Sequence, residues 1–227
     1  MSTRKRKRPA ATNLGDSAYE QIRGDIVLCV LEPGAEVTET KLAQRYRLGK
    51  APIRAALQRL AQDGLVRALP RRGHLIAPIT LKDIHELFEL RLLVEPATAA
   101  KAATRIGDAE LATLKELLQE DITIGTTYNP ANTEFHLMLA ELAGNHRVRE
   151  TISQLLHQLE RVANLRLAPD IQQRSAGEHE RIIDALAKRD PAAAEHAMAE
   201  HIEEGLRQIL DAIHSSEGFL SFEIGRS

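Results

Sequence analysis

Between Ser17 and Val30 the apolar side chains return at three- and four-residue steps: Ala18, Ile22, Ile26, then Cys29 or Val30. That is the stripe of a helix. Glu32-Pro33-Gly34 closes it as a turn. A short helix is predicted from about Glu39 to Tyr46, with Leu42 and Ala43 inward, and Leu48-Gly49 breaks it. The next helix is predicted from about Ala51 to Asp63, with Ile53, Ala56, Leu57 and Leu60 on its apolar face. Pro52 suits its first turn, where an N–H has no helical partner in any case, and Gly64 stops it. Leu65 to Leu69 and His74 to Ala77, separated by a basic turn at Pro70 to Gly73, read as a small β-hairpin.

From residue 81 the pattern is helical throughout. The first helix is predicted from about Leu81 to Arg105 and stops at Gly107, after which Asp108 caps a second to about Glu120. Asp121 to Tyr128 is a connector of undecided structure. Asn129-Pro130 opens a helix ending at Gly144, Asn145 caps one to about Ala168, Pro169-Asp170 precedes one to Arg189, and Asp190-Pro191 starts the last, to about His214. The order helix, helix, tight turn, helix, hairpin is that of a winged helix-turn-helix. The fold class is therefore mostly α, with that unit at the N-terminus and an antiparallel α-helical bundle behind it. The expected division is a basic disordered tail at 1–13, a winged helix-turn-helix domain at 14–79, a helical domain at 80–215 and a C-terminal tail at 216–227.

Charge sharpens this division. The net charge of −2 conceals +8 over residues 1–80 and −10 over residues 81–227, so the first part suits a polyanion and the second does not. Cys29, the sole cysteine, excludes an internal disulfide framework and is expected to be a small core residue. No stretch approaches the roughly 20 uncharged residues of a membrane span, which points to a soluble, cytoplasmic protein without a membrane partner.

Lys50 and Arg54 share a face one turn apart at the start of the third helix, where such a helix meets the major groove of duplex DNA. Arg72 and Gly73 at the wing tip are expected to enter or flank the minor groove, and Thr40 and Arg45 to touch the backbone. In the second half, Asn132 and His136 project from one helix face, about 6 Å apart along its axis. Glu134 points away from them. His179 precedes Asp190 by eleven residues and His201 follows it by eleven, so a tight helical hairpin sets both imidazoles at one level. His136 could meet them if the helices bundle, making a site suited to zinc, nickel or a similar divalent ion. The same histidines could instead be core or surface residues that happen to align.

The stretch LAQRYRLGKAPIRAALQRLAQDGLVRALPRRGHLIAP resembles the signature of the GntR family of bacterial regulators. ELFELRLLVEPATAAKAA, NTEFHLMLAELAGN, EHERIIDALAKRD and AAAEHAMAEHI resemble the FCD ligand-binding domain of that family's FadR-type branch. The resemblance implies a metal held by Asn132, His136, His179 and His201 and a small carboxylate effector beside it. Arg91 matches the residue expected to clamp that effector, or else pairs with Glu95 along its own helix, and His157 is placed to line the same cavity. Two departures stand out. Gly49-Lys50-Ala51 replaces the usual Ser-Arg-Thr, exchanging a bidentate donor for a point charge, and Asn132 stands where the family has Asp, so that position carries no charge. His85, His146, His196 and His214 are expected on the surface.

The reading that results is a homodimeric transcriptional regulator on a pseudo-palindromic DNA operator, responsive to a small organic acid and not an enzyme. Two alternatives remain open: a metal-sensing regulator, or a three-histidine metallohydrolase. Against hydrolysis stand the absence of an H-E-x-x-H pair, of a glycine-rich phosphate loop, and of any Glu or Asp beside the histidines to act as general base.

Overall fold

The computed structural model describes residues 14–124, 130–164 and 171–215, so the two expected tails lie outside the described residues, as does the latter part of the connector. The chain divides into two compact units, residues 1–78 and 79–227.

In the first unit, α1 (Leu14–Val27), α2 (Glu39–Tyr46) and α3 (Lys50–Gln62) stand with β1 (Glu36–Val37), β2 (Val66–Leu69) and β3 (Gly73–Ile76). Ala18, Ile22, Ile26, Leu42, Ile53, Ala56, Leu57 and Leu60 bury the facing stripes of the helices, and Leu65, Val66 and Ile76 close the core from the sheet. Removing these aliphatic faces from water is the main source of this unit's stability. α1 ends earlier than its periodicity suggests. Cys29 takes a left-handed backbone conformation (φ 55°), the Leu31 N–H bonds the Asp25 carbonyl, and the turn carries Leu31 into the core. Cys29 is thus only half-buried and Val30 is 52% exposed, so neither completes the helix stripe.

The sheet has three strands in the order β1-β3-β2, all antiparallel, where the sequence suggested two. Its hairpin register pairs Val66 with Ile76 and Leu69 with Gly73. The extra strand follows from Gly34, whose positive φ of 81° turns the chain so that its N–H bonds the Ile76 carbonyl and Glu36 comes to lie opposite Leu75. At Gly73 (φ 113°) a side chain would collide with the Val37 carbonyl, so glycine here is required by the packing of the wing on β1.

The second unit is an antiparallel array of α4 (Leu81–Ala103), α5 (Asp108–Ile124), α6 (Pro130–Ala143), α7 (His146–Ala163), α8 (Ile171–Ala187) and α9 (Pro191–Ser215). Thr80 and Asp83 form a reciprocal capping box on α4, and the Asn145 side chain accepts from Arg147 and Val148 N–H at the start of α7. Asp108 is the first helical residue rather than the cap of α5; the Glu110 carboxylate accepts the Gly107 N–H instead. α5 runs on through Ile124, into the segment whose structure the sequence left undecided. α4 packs along α9 and against α6, α8 packs on α9, and Ile84, Phe88, Phe135, Leu139, Ile182, Leu186, Met198 and Ile202 form the shared core. A three-residue link between α8 and α9, with Arg189 at φ 53°, makes the hairpin that sets His179 against His201.

Candidate functional site

Two groups of side chains have the chemistry for recognition, one in each unit. On the first, α3 exposes Lys50, Ala51, Arg54, Ala55 and Gln58 along one face. The alanines leave that face low, so the long side chains stand clear of it. Arg54 donates through Nε and Nη2 to the two oxygens of Glu39, each at 2.8 Å, and these bonds hold the Glu39 carboxyl below its ordinary range. Arg72 Nη2 lies 2.5 Å from Glu36, and Arg45 pairs with Asp25 at 3.0 Å. Tyr46 donates to the same Asp25 oxygen; burial, then that carboxylate, push its phenol up. Thr40 is exposed on α2. In this unit the arginines singled out from sequence, Arg45, Arg54 and Arg72, are all on the surface, and each carries an acidic partner that the sequence reading did not anticipate.

The second group is buried. His136 on α6, His179 on α8 and His201 on α9 are 1%, 2% and 5% exposed, and one ring nitrogen from each lies within 4.8 Å of the others. Ring centroids are 4.6 Å apart for His179 and His201, and 5.2 and 5.6 Å for His136 to His201 and His179. Phe135 packs on His179 at 4.5 Å. Burial pushes His136 below its ordinary pKa, and burial together with the neighbouring His179 and His136 pushes His201 well below it. The Glu95 carboxylate opposes the shift at His136, but burial outweighs it, and neutral imidazole is the ligating form.

One expectation is corrected at this point: carboxylates do stand beside the histidines. Glu95 Oε2 is 2.6 Å from His136 Nδ1, and Glu178 Oε2 is 2.9 Å from His201 Nδ1. Burial alone would raise the Glu95 carboxyl, but Arg91, then His136, overcome it and bring it down to about 2. Glu178 is shifted the other way, upward, by burial and by Glu204. Glu178 shares a hydrogen bond with His201 Nδ1 and Glu95 closes on His136 Nδ1, which leaves Nε2 of each ring as the nitrogen turned away from the carboxylate. Each meets an imidazole through one of its oxygens. Only a fold could reveal this: Glu95 lies on α4, and Glu178 adjoins His179 in sequence yet serves His201 across the helical hairpin.

Arg91, 6% exposed, forms the intrahelical pair with Glu95 at 2.5 Å, and its Nη2 is also 3.5 Å from His136 Nε2. Asn132 is half-buried one turn before His136, Glu134 is exposed, and His157 is half-buried on α7 and is not one of the three converging histidines. His85, His146, His196 and His214 are exposed. Three buried imidazoles, two of them with Nδ1 against a carboxylate, fit a borderline divalent ion such as zinc or nickel.

Comparison with known proteins assigns both units. Residues 14–76 match the model of the bacterial regulatory proteins of the gntR family, and residues 86–204 match the FCD domain. The chain belongs to the GntR family. Its two-domain makeup fits the family's FadR-type branch. It is 30% identical over 203 residues to the HTH-type transcriptional repressor RspR of Escherichia coli K12, covering 84% of this chain and 88% of that one. To the Nta operon transcriptional regulator of Aminobacter aminovorans it is 28% identical over 191 residues, 81% and 89% of the two chains. The structure of E. coli McbR/YncC superposes with a TM-score of 0.76 at 19% identity over 88% of this chain and 98% of that one, a likeness of fold. This GntR-family protein is a transcriptional regulator and not an enzyme. None of its described helices is long and apolar enough to cross a membrane.

Proposed function

We propose that this GntR-family protein is a ligand-responsive dimer that reads a pseudo-palindromic operator with α3 and senses a small carboxylate at a metal in its FCD domain. The convergence of the His136, His179 and His201 imidazoles carries the reading. In it, Nε2 of each histidine and the amide oxygen of Asn132 hold the ion, which supplies a Lewis-acidic anchor for the effector carboxylate. Arg91 Nη2, close to His136 Nε2, gives that carboxylate a second contact, and His157 lines the same cavity. On the other unit, Lys50 and Arg54 meet bases or phosphates in the major groove, Arg72 and Gly73 flank the minor groove, and Thr40 and Arg45 touch the backbone. The acidic partners Glu39, Glu36 and Asp25 yield to phosphate because their pairs are exposed to water. Dimerisation is supported by α4, where Leu93 is 71% and Leu90 38% exposed on one face, an apolar surface suited to a second copy. Effector binding then shifts the population between placements of the two DNA-binding heads.

The test is footprinting of the protein on its own genomic DNA, with metal content measured and zinc, nickel and a panel of small organic acids added in turn. His179→Ala should lose the ion and the effector response while keeping operator binding. Full retention of metal by that variant would remove His179 from the site. A response to the ion without any acid would make the metal itself the signal.

A further inference from the structure

A divalent ion held by three neutral imidazoles and one amide brings two positive charges into a core that is closed to water. Burying charge at such a place is unfavourable unless anionic groups stand close by. Two carboxylates adjoin the histidines, and they are not equivalent. Both oxygens of Glu95 engage the Arg91 guanidinium, Oε1 at 2.5 Å and Oε2 at 3.3 Å, so its negative charge is already matched within α4. Glu178 is held differently. Its Oε2 faces His201 Nδ1 at 2.9 Å, and its Oε1 accepts from the neutral amide of Gln208 at 3.1 Å. The arginines that feel its field are turned elsewhere: Arg181 pairs with Glu200 and Arg207 with Glu204, both on the exposed surface.

Resting on the metal reading above, we infer that Glu178 is the positioning residue of the centre: it turns His201 Nε2 toward the ion and supplies the negative charge that the neutral donor set lacks. Its reach is indirect, through the imidazole. An Nδ1–H that donates to a carboxylate makes the opposite nitrogen a stronger donor to metal, and it fixes both the tautomer and the ring orientation. Gln208, two turns beyond His201 on α9, also donates to Glu204 at 3.2 Å, so the carboxylate that tunes the ligand is itself held by the helix that bears the ligand. Ion affinity is thereby tied to the packing of α8 on α9.

The experiment compares full-length wild type with Glu178→Gln, a change that keeps the shape and an acceptor oxygen but removes the charge. Zinc affinity is read by competition with a chromophoric chelator, and the ligand field by the visible spectrum of the cobalt(II) form. The expected result is a fall of about 10- to 100-fold in zinc affinity with an altered cobalt spectrum, as loss of an outer-shell carboxylate produces, while the metal-free variant keeps the helical content of wild type. A wild type that binds zinc, with a variant equal to it in affinity and spectrum, overturns the role of Glu178 and leaves the metal reading standing. A wild type that binds no ion removes the metal reading and this inference together. A second measurement needs no variant: nitrogen chemical shifts of His201 in metal-free wild type should report a protonated Nδ1 and a bare Nε2, and the opposite tautomer overturns the inference even if Glu178→Gln fails to fold.

Discussion

Arg54 and Arg91 are each held by a glutamate, and in opposite surroundings. The Arg54 side chain is 62% exposed and its partner Glu39 sits on a neighbouring helix of the DNA-binding unit, whereas Arg91 and Glu95 are 7% and 2% exposed within the FCD core. Water screens the first pair, so exchanging its carboxylate for a DNA phosphate costs little. The second pair lies where an uncompensated charge is heavily penalised, so it acts as a fixed frame for His136. Arg45 and Arg72 repeat the exposed arrangement with Asp25 and Glu36, and Glu178 repeats the buried one on His201. One unit keeps its cations ready to change partners. The other uses buried contacts to hold imidazoles still.

The most severe way to break this contrast is Glu95→Ala, which leaves the Arg91 guanidinium buried and takes the acceptor from His136 Nδ1. The expected loss is about 3–5 kcal/mol in urea unfolding. Placing leucine at 95 and methionine at 91 together should recover most of it, since both charges then leave the core. A loss below about 1 kcal/mol for the single change would put this pair in the class of surface salt bridges and remove the distinction between the units.

Arg54→Ala comes next in size. Specific operator affinity should fall about 10- to 100-fold, the range for loss of one bidentate base contact, with the unfolding curve unchanged because the pair with Glu39 is exposed. Fluorescence anisotropy on the footprinted operator against scrambled DNA of equal length separates the two kinds of binding. Equal losses on both would reassign Arg54 to phosphate, and no loss on either would take α3 out of the groove.

How far such contrasts could be read from the chain depends on the range of the forces involved. The helices were legible because their signals are local: aliphatic spacing on α3 and α9, Pro-containing starts and Gly-marked ends. β1 was missed because two residues are too few to show alternation, and its pairing depends on a turn at Gly34 and on the Ile76 carbonyl forty-two residues away. Cys29 was assigned to the core by extending a helical period through a residue whose left-handed backbone had already ended the helix. The alignment of His179 with His201 could be inferred from equal distances to a turn. Their carboxylate partners could not: a glutamate next to a histidine points about 100° away from it around the helix, so Glu178 looked idle until α9 was packed opposite. For Arg91 the sequence offered a clamp or a pair with Glu95, and the fold holds the pair at the edge of the histidine cluster.

The smallest predicted effect compares two helix starts. Thr38 caps α2 in the DNA-binding unit with a single bond, from Lys41 N–H at 3.2 Å. Thr80 caps α4 in the FCD unit reciprocally: its hydroxyl oxygen accepts from Asp83 N–H at 3.0 Å while the Asp83 carboxylate accepts from Thr80 N–H at 3.0 Å. Replacing either by alanine removes an acceptor from the first turn, but at Thr80 it also unlocks the Asp83 side chain that the hydroxyl contacts at 2.6 Å. Hydrogen exchange should therefore show the first turn of α4 opening more easily by about 1 kcal/mol in Thr80→Ala, and that of α2 by about half as much in Thr38→Ala. Because α4 also carries Arg91 and Glu95, the Thr80 variant should transmit some of its loosening to zinc affinity, while the Thr38 variant should leave zinc untouched. If both variants altered zinc binding equally, the frame around His136 would not depend on α4 being held from its N-terminus, and the rigidity assigned to the buried pair would have to come from the surrounding helices alone.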